Sequence, residues 1–162
     1  ENLMSAIEEQ MQRNVQLKNE FFLVDAINIM LEHHSVMRVE KIETWLDTGT
    51  IDATLETNRF LLERNSNKTQ NANYKNVKIV EPVFIHESAK IEDSTIGPYA
   101  SIAADCQIRG SHIEDSIIEA ECEIKDAALK CSMVGTQAKV HGRGVKEFVT
   151  LNIGDNSSVM LG

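Results

Sequence analysis

Apolar and polar positions along this chain follow one period before about residue 65 and a different one from Val77 onward. In the first stretch Leu3, Ile7, Met11 and Val15 recur every fourth residue, which puts one apolar stripe on a first helix. Leu23, Ile27, Met30 and Leu31 predict a second helix, starting just after the apolar pair Phe21-Phe22. Residues 36–45 read as a strand, because Val36, Val39 and Ile42 are β-formers, although Glu40 and Lys41 interrupt the alternation. Thr50 suits an N-cap and Asp52 the first helical turn, and Ile51, Leu55 and Leu62 mark a third helix. That helix fades into residues 64–73, which are polar, Asn-rich and a linker by composition.

Beyond the linker, aliphatic residues fall at Ile85, Ile91, Ile96, Ile102, Ile108, Ile113, Ile118, Ile124, Leu129, Val134 and Val140. Their steps are six, five, six, six, five, five, six, five, five and six, which neither a helix nor simple alternation produces. Two residues before each stands Val83, Ala89, Ser94, Ala100, Cys106, Ser111, Ser116, Cys122, Ala127, Ser132 or Ala138, and all but the first are small. Residues i and i−2 of a strand point the same way, so each short strand buries one aliphatic and one small residue, the small one at a tight corner. Three such faces close a coil. Ile85, Ile102, Ile118 and Val134 form one ladder, Ile91, Ile108, Ile124 and Val140 a second, and Ile96, Ile113 and Leu129 a third, at spacings of 17 and 16 residues. The predicted fold is a triangular parallel β-helix over residues 77–162. A coil's three aliphatics supply roughly 1.5–3 kcal/mol each. Ordering its backbone costs about 1–2 kcal/mol per residue, so one coil needs its neighbours. The pattern breaks at His141-Gly142-Arg143-Gly144 and resumes at Ile153 and Val159, with small Ser157 two before the latter. That predicts a loop excursion over 141–148 and a last incomplete coil.

Composition narrows the function. A net charge of −9 argues against a nucleic-acid or anionic-membrane partner, for want of a basic patch. No apolar run is long enough to span a bilayer. No signal peptide opens the chain, and Glu1 stands first, so we expect a cytoplasmic protein and a piece of a longer one. The three cysteines have no metal-ligand spacing and read as reduced thiols. Cys106 and Cys122 share the small interior position on adjacent coils, about 4.8 Å apart, slightly too far for the usual disulfide separation. Cys131 is off the interior register and is expected nearer the surface. The triplets at Asn67 and Asn156 carry no weight without a secretion signal. His33 and His34 follow a helix C-terminus and read as solvated dipole partners, while His86, His112 and His141 flank interior positions and should point outward.

One carboxylate stands out. The stretch Thr44-Trp45-Leu46-Asp47-Thr48-Gly49-Thr50 reads as a strand end, a tight turn and a helix start, with Asp47 at the junction. Trp45-Leu46-Asp47-Thr48-Gly49-Thr50 resembles the W-x-D-x-G-T segment of sugar-1-phosphate nucleotidyltransferases. Glu20-Phe21-Phe22-Leu23-Val24-Asp25-Ala26 resembles their E-x-x-L-T-D-A segment, with Val24 for the usual Thr. Asn58, Leu61 and Leu62 match A-N-x-x-L-L, with Thr57 for Ala. The coil pattern is similar to the hexapeptide-repeat β-helices. That resemblance implies left-handedness, against the usual crossover preference, and trimers formed along the helix faces. Together they resemble the C-terminal part of long glucose-1-phosphate thymidylyltransferases and their uridylyl relatives.

The resemblance implies a mainly β chain. Residues 1–64 would be a helical/α-β remnant of a truncated nucleotidyltransferase domain, 65–76 a polar linker and 77–162 a left-handed parallel β-helix. It implies a parent enzyme in which a sugar 1-phosphate oxygen attacks the α-phosphorus of a nucleoside triphosphate and pyrophosphate leaves. Catalysis there is positioning plus charge neutralisation by Mg²⁺ and basic side chains. Asp47 would be a Mg²⁺ ligand, one of two aspartates. The Gly-rich nucleotide loop, the other aspartate and most of the sugar pocket match nothing in these residues. The chain alone is therefore expected to be inactive, with no catalytic or cofactor-binding residues of its own, and to act as a β-helix module for oligomerisation or regulation. The rival expectation is a hexapeptide-repeat acyltransferase acting on an amino-sugar phosphate, with His112 or His141 as general base; the sequence shows no partner to orient either.

Overall fold

A computed structural model describes residues 2–64, 74–144 and 147–162. Three helices come first: α1 (Asn2–Arg13), α2 (Leu23–Glu32) and α3 (Ile51–Arg64). Short strands then wind coil by coil: β1 (Lys78–Ile79), then β2 (Val83–Ile85), β3 (Lys90–Glu92) and β4 (Thr95–Ile96). The next coils are β5 (Ala100–Ile102), β6 (Gln107–Arg109) and β7 (His112–Glu114), then β8 (Ile117–Ile118), β9 (Glu123–Lys125) and β10 (Ala128–Lys130). The last strands are β11 (Met133–Val134), β12 (Lys139–His141), β13 (Asn152–Ile153) and β14 (Ser158–Met160).

Strands stack in parallel into three sheets, β1-β4-β7-β10, β2-β5-β8-β11-β13 and β3-β6-β9-β12-β14. The registers are those of the aliphatic ladders: Ile85 pairs with Ile102 and Ile102 with Ile118, Ile91 with Ile108 and Ile108 with Ile124, Ile96 with Ile113 and Ile113 with Leu129. All lie in one buried apolar cluster, together with the small residues Ala89, Ala100, Cys106, Cys122, Ala127 and Ala138. The uneven spacing belongs to the corners. The corner from the β2-type to the β3-type face always takes six residues from aliphatic to aliphatic, and the next corner always five.

Most corners are built the same way. Backbone φ is positive, 46–61°, at Asp93, Tyr99, Asp105, Asp115, Glu121, Asp126, Cys131 and Gln137, and Gly110 joins them at 60°. Every one immediately precedes a small interior residue. The left-handed conformation turns the chain, and the small residue is what fits inside the bend. Serine there has a further use. Ser111 Oγ accepts the Ala127 N–H (3.2 Å) and donates to the Arg109 carbonyl (2.8 Å), while Ser116 Oγ accepts the Ser132 N–H (3.0 Å) and donates to the Glu114 carbonyl (2.6 Å). Corner amides that the ladders miss are thus satisfied from one coil to the next. At Gly97, φ is 97° and an added Cβ would lie 2.0 Å from the Val80 carbonyl, so only glycine fits.

His141 still belongs to β12, so the excursion starts one residue later than the sequence suggests, at Gly142. There an added Cβ would meet the Asp126 carbonyl at 2.0 Å. Residues 145–146 of the excursion lie outside the described residues. The chain rejoins the stack at Val149, which pairs with Leu129, and the last coil follows with Ile153 beside Val134 and Val159 beside Val140.

By compactness the chain divides into Glu1–Trp45 and Leu46–Gly162, which puts α3 in the same unit as the coil. Residues 65–73 of the expected linker lie outside the described residues, and Tyr74 already packs against the coil's core. In the first unit, α1 and α2 meet through Ala6, Ala26 and Ile29, flanked by Ile7 and Met30. Of the two apolar stripes, Ile7, Ile27 and Met30 are partly buried, while Leu3, Met11, Val15, Leu23 and Leu31 are exposed. Small Ala6 and Ala26 let the two helices approach, with Ile7 and Met30 packed beside them. The expected strand at 36–45 is absent. Val36 is fully exposed and Val39 is 93% exposed, and a strand needs a ladder partner that the described residues do not offer it.

Candidate functional site

Asp47 sits in an Asx turn, its Oδ1 accepting the Gly49 N–H at 2.9 Å. Thr50 caps α3 as expected, its Oγ1 accepting the Ala53 N–H at 3.2 Å. Two threonines of α3 tie the turn down. Thr57 Oγ1 donates to the Asp47 carbonyl (2.8 Å), and Thr54 Oγ1 lies within reach of the Thr50 (2.8 Å) and Thr48 (3.3 Å) carbonyls. The Asp47 carboxylate is exposed. A hard divalent cation takes several oxygen ligands. Among the described residues no three His, Cys, Asp or Glu side chains gather closely enough to hold a metal ion. The Glu20–Ala26 segment forms the entry to α2, where Leu17 and Glu20 pair through both backbone amides (3.0 and 3.1 Å) and Gln10 Nε2 donates to the Phe22 carbonyl (3.0 Å).

A side of α3 that sequence reasoning missed carries the densest polar chemistry in the second unit. Arg59 forks onto Asp115, Nε to Oδ1 at 2.6 Å and Nη2 to Oδ2. Asn58 accepts from Ser101 Oγ (2.6 Å) and donates to the Tyr99 carbonyl (3.3 Å). Glu63 accepts from the Tyr99 hydroxyl (2.9 Å). The Cys131 thiol donates to Asp115 Oδ2 at 3.3 Å. Burial alone would push the Asp115 carboxyl up, but the Arg59 guanidinium and the Cys131 thiol outweigh it and hold the carboxyl below its usual range. Asn58 belongs to a motif the sequence had singled out. Arg59, Asp115 and Tyr99 gave no signal beyond polar character, because their meeting depends on the stacking of coils.

Two of the three outward histidines have orienting carboxylates, whereas His86 Nδ1 lies 2.9 Å from the Ser88 hydroxyl. His112 Nε2 lies 3.1 Å from Glu114 Oε1, with Lys130 Nζ 3.1 Å from the other oxygen and the Phe148 ring 4.7 Å from the imidazole. His141 Nε2 lies 3.1 Å from Glu123 Oε1 on the neighbouring coil. His33 pairs with Glu9 at 3.1 Å. All three cysteines are free thiols, as expected from their register. Cys106 and Cys122 donate to the Glu119 and Gly135 carbonyls, both at 3.0 Å. The Cys106 thiol, beside the Cys122 sulfur and cut off from water, is pushed up in pKa and stays protonated. Among the described residues no helix is long and apolar enough to cross a membrane.

Sequence comparison finds curated nucleotidyltransferases similar to this chain. No family model matches the chain. It is 28% identical over 165 residues to a glucose-1-phosphate thymidylyltransferase of Streptomyces antibioticus, covering 88% of this chain and 46% of that protein. A glucose-1-phosphate thymidylyltransferase of Streptomyces griseus is 24% identical over 142 residues, covering 76% of this chain and 40% of the relative. The low-salt glycan biosynthesis nucleotidyltransferase Agl11 of Haloferax volcanii is 26% identical over 167 residues, covering 89% and 47%. The chain spans about half the length of the curated relatives it matches.

Proposed function

We propose that this chain is the C-terminal part of a Mg²⁺-dependent nucleotidyltransferase that makes a nucleoside diphosphate sugar from a nucleoside triphosphate and a sugar 1-phosphate. The observation that carries the reading is the extent of the similarity. A match over 88% of the chain includes most of both the helical part and the coil, so one ancestral protein accounts for the two together. On this reading Asp47 supplies one ligand to a Mg²⁺ whose other ligands lie outside these residues, and the ion neutralises charge on the triphosphate. The chain's own part is to hold that aspartate in the turn that enters a capped helix and to provide the coil as a cytoplasmic oligomerisation or regulatory module. Alone it is inactive. A pyrophosphate-release assay with glucose 1-phosphate, dTTP or UTP, and Mg²⁺ should give only background with this chain; turnover above background overturns that expectation. In the longer parent polypeptide the same assay should show turnover, and Asp47→Asn should abolish most of it.

A second reading has its own support. The His112–Glu114 and His141–Glu123 pairs at 3.1 Å are the geometry a general base needs to hold its tautomer, which favours acyl transfer to an amino-sugar phosphate. Thioester consumption by this chain, lost in His112→Ala or His141→Ala, would establish it; no consumption removes it.

A further inference from the structure

The polar contacts of α3 run in two directions from one helical turn. Thr57 reaches back to the Asp47 carbonyl, while its neighbours Asn58 and Arg59 reach forward to Ser101 and Asp115 on the coil. Leu55 and Leu62 are buried, yet neither belongs to the apolar cluster that fills the coil. Burying two leucines holds the helix but leaves its rotation loosely set, and the directional bonds supply that: a forked guanidinium–carboxylate pair sets rotation as well as distance.

The coil residues that receive α3 are themselves unusual. Tyr99, Asp115 and Cys131 occupy the same corner on three successive coils, each with positive φ. The corner column of Asp93, Gly110 and Asp126 holds only residue types that tolerate this backbone well. Tyrosine and cysteine do not, and neither do Glu121 and Gln137 of the third column, which hydrogen-bond each other; the Tyr99 column differs in what its side chains reach, which is α3. All three are used: the Tyr99 hydroxyl on Glu63, the Asp115 carboxylate on Arg59 and the Cys131 thiol on Asp115.

We propose that the Tyr99–Asp115–Cys131 corner column is a positioning frame for the Asp47 turn. It fixes the place and rotation of α3 through Arg59, Asn58 and Glu63, and Thr57 passes that setting to the Asp47 backbone. Asp115 is a positioning residue in this scheme, and Thr57 is the link. The meaning of the coupling for catalysis rests on the nucleotidyl-transfer reading of Asp47; the coupling itself does not.

Backbone ¹⁵N relaxation and amide exchange on this chain test it, without nucleotide or metal. Thr48 and Gly49 report the turn, Thr54 and Leu55 report α3, and Gln107 and Glu123 report the coil. Asp115→Asn should lower the order parameters of Thr48 and Gly49 from about 0.85 toward 0.6 and speed exchange at Thr54 and Leu55 about tenfold, with Gln107 and Glu123 unchanged. Thr57→Val should loosen Thr48 and Gly49 alone, and Thr57→Ser should restore them. Order parameters at Thr48 and Gly49 that stay put in either loss variant overturn the proposal. So does faster exchange shared equally by Gln107 and Glu123, which would be general destabilisation. Failure of the nucleotidyl-transfer reading shows up separately, as pyrophosphate release by the parent polypeptide that survives Asp47→Asn.

Discussion

Asp115 carries two jobs in one residue, a corner in left-handed conformation and the anion that Arg59 grips. Its carboxyl also faces the Cys131 thiol and, at longer range, the Lys130 ammonium. Because its folded pKa is depressed, the pair's contribution is complete above the ordinary aspartate value of about 4 and is lost as pH falls through the folded value. Wild type should therefore exceed Asp115→Asn by about 1–2 kcal/mol at neutral pH, less than a fully buried pair because Arg59 is 40% exposed. Urea midpoints taken at falling pH should converge; a gap that persists in acid would contradict this assignment. A plainer corner isolates the backbone term. Asp105 is exposed and has φ 58°, so Asp105→Val should cost about 1–2 kcal/mol and Asp105→Gly much less. At this scale the sequence was legible wherever a residue's role is local. Thr50 as cap and Cys106 and Cys122 as stacked thiols follow from spacing alone, and both are found. The Arg59–Asp115 pair was not legible, because the two residues are 56 positions apart and only the winding of the coil brings them together.

Strands of two or three residues have no independent stability, so each element of the coil exists by virtue of the ones above and below it. Ile113 shows the dependence most directly. It is fully buried in β7 and stacked between Ile96 and Leu129. Ile113→Ala should cost about 2–5 kcal/mol, read as a shift in urea midpoint, with the loss spread over the coils on both sides. A loss under about 0.5 kcal/mol, small for even an Ile→Val change, would mean the ladder is not the stabilising unit. The same dependence explains why the coil could be read in advance and residues 36–45 could not. In the coil, pattern and partner lie 16 or 17 residues apart in the same sequence, so each strand announces its neighbour. Val36, Val39 and Ile42 have strand chemistry but no ladder partner among the described residues, and propensity without a ladder leaves them outside any strand and exposed.

For the whole molecule, charge and surface argue in the same direction. The chain is acidic, at −9. Yet the flat face of β3, β6 and β9 sets Lys90, Arg109 and Lys125 among Glu92 and Glu123 around a groove of about 390 Å³. A mixed-charge plane suits another copy of an acidic chain better than it suits phosphate backbone. Static light scattering should therefore give a mass above that of the monomer, a trimer on our reading, with salt-dependent dissociation. Monomer alone at high concentration would remove the oligomerisation role.

The corner rule also governs how such a chain can change length. Removing one residue from a strand would turn every later aliphatic outward. Removing the sixteen residues from Glu123 to Ala138 would instead bring Lys139, Val140 and His141 beside Gln107, Ile108 and Arg109, where Glu123, Ile124 and Lys125 stand now. A change of one whole coil thus keeps the ladders in register, whereas a small deletion within a strand does not. Such a protein evolves its height in steps, like a stack of coins, and the reach of its far end becomes a quantity that selection can set by counting.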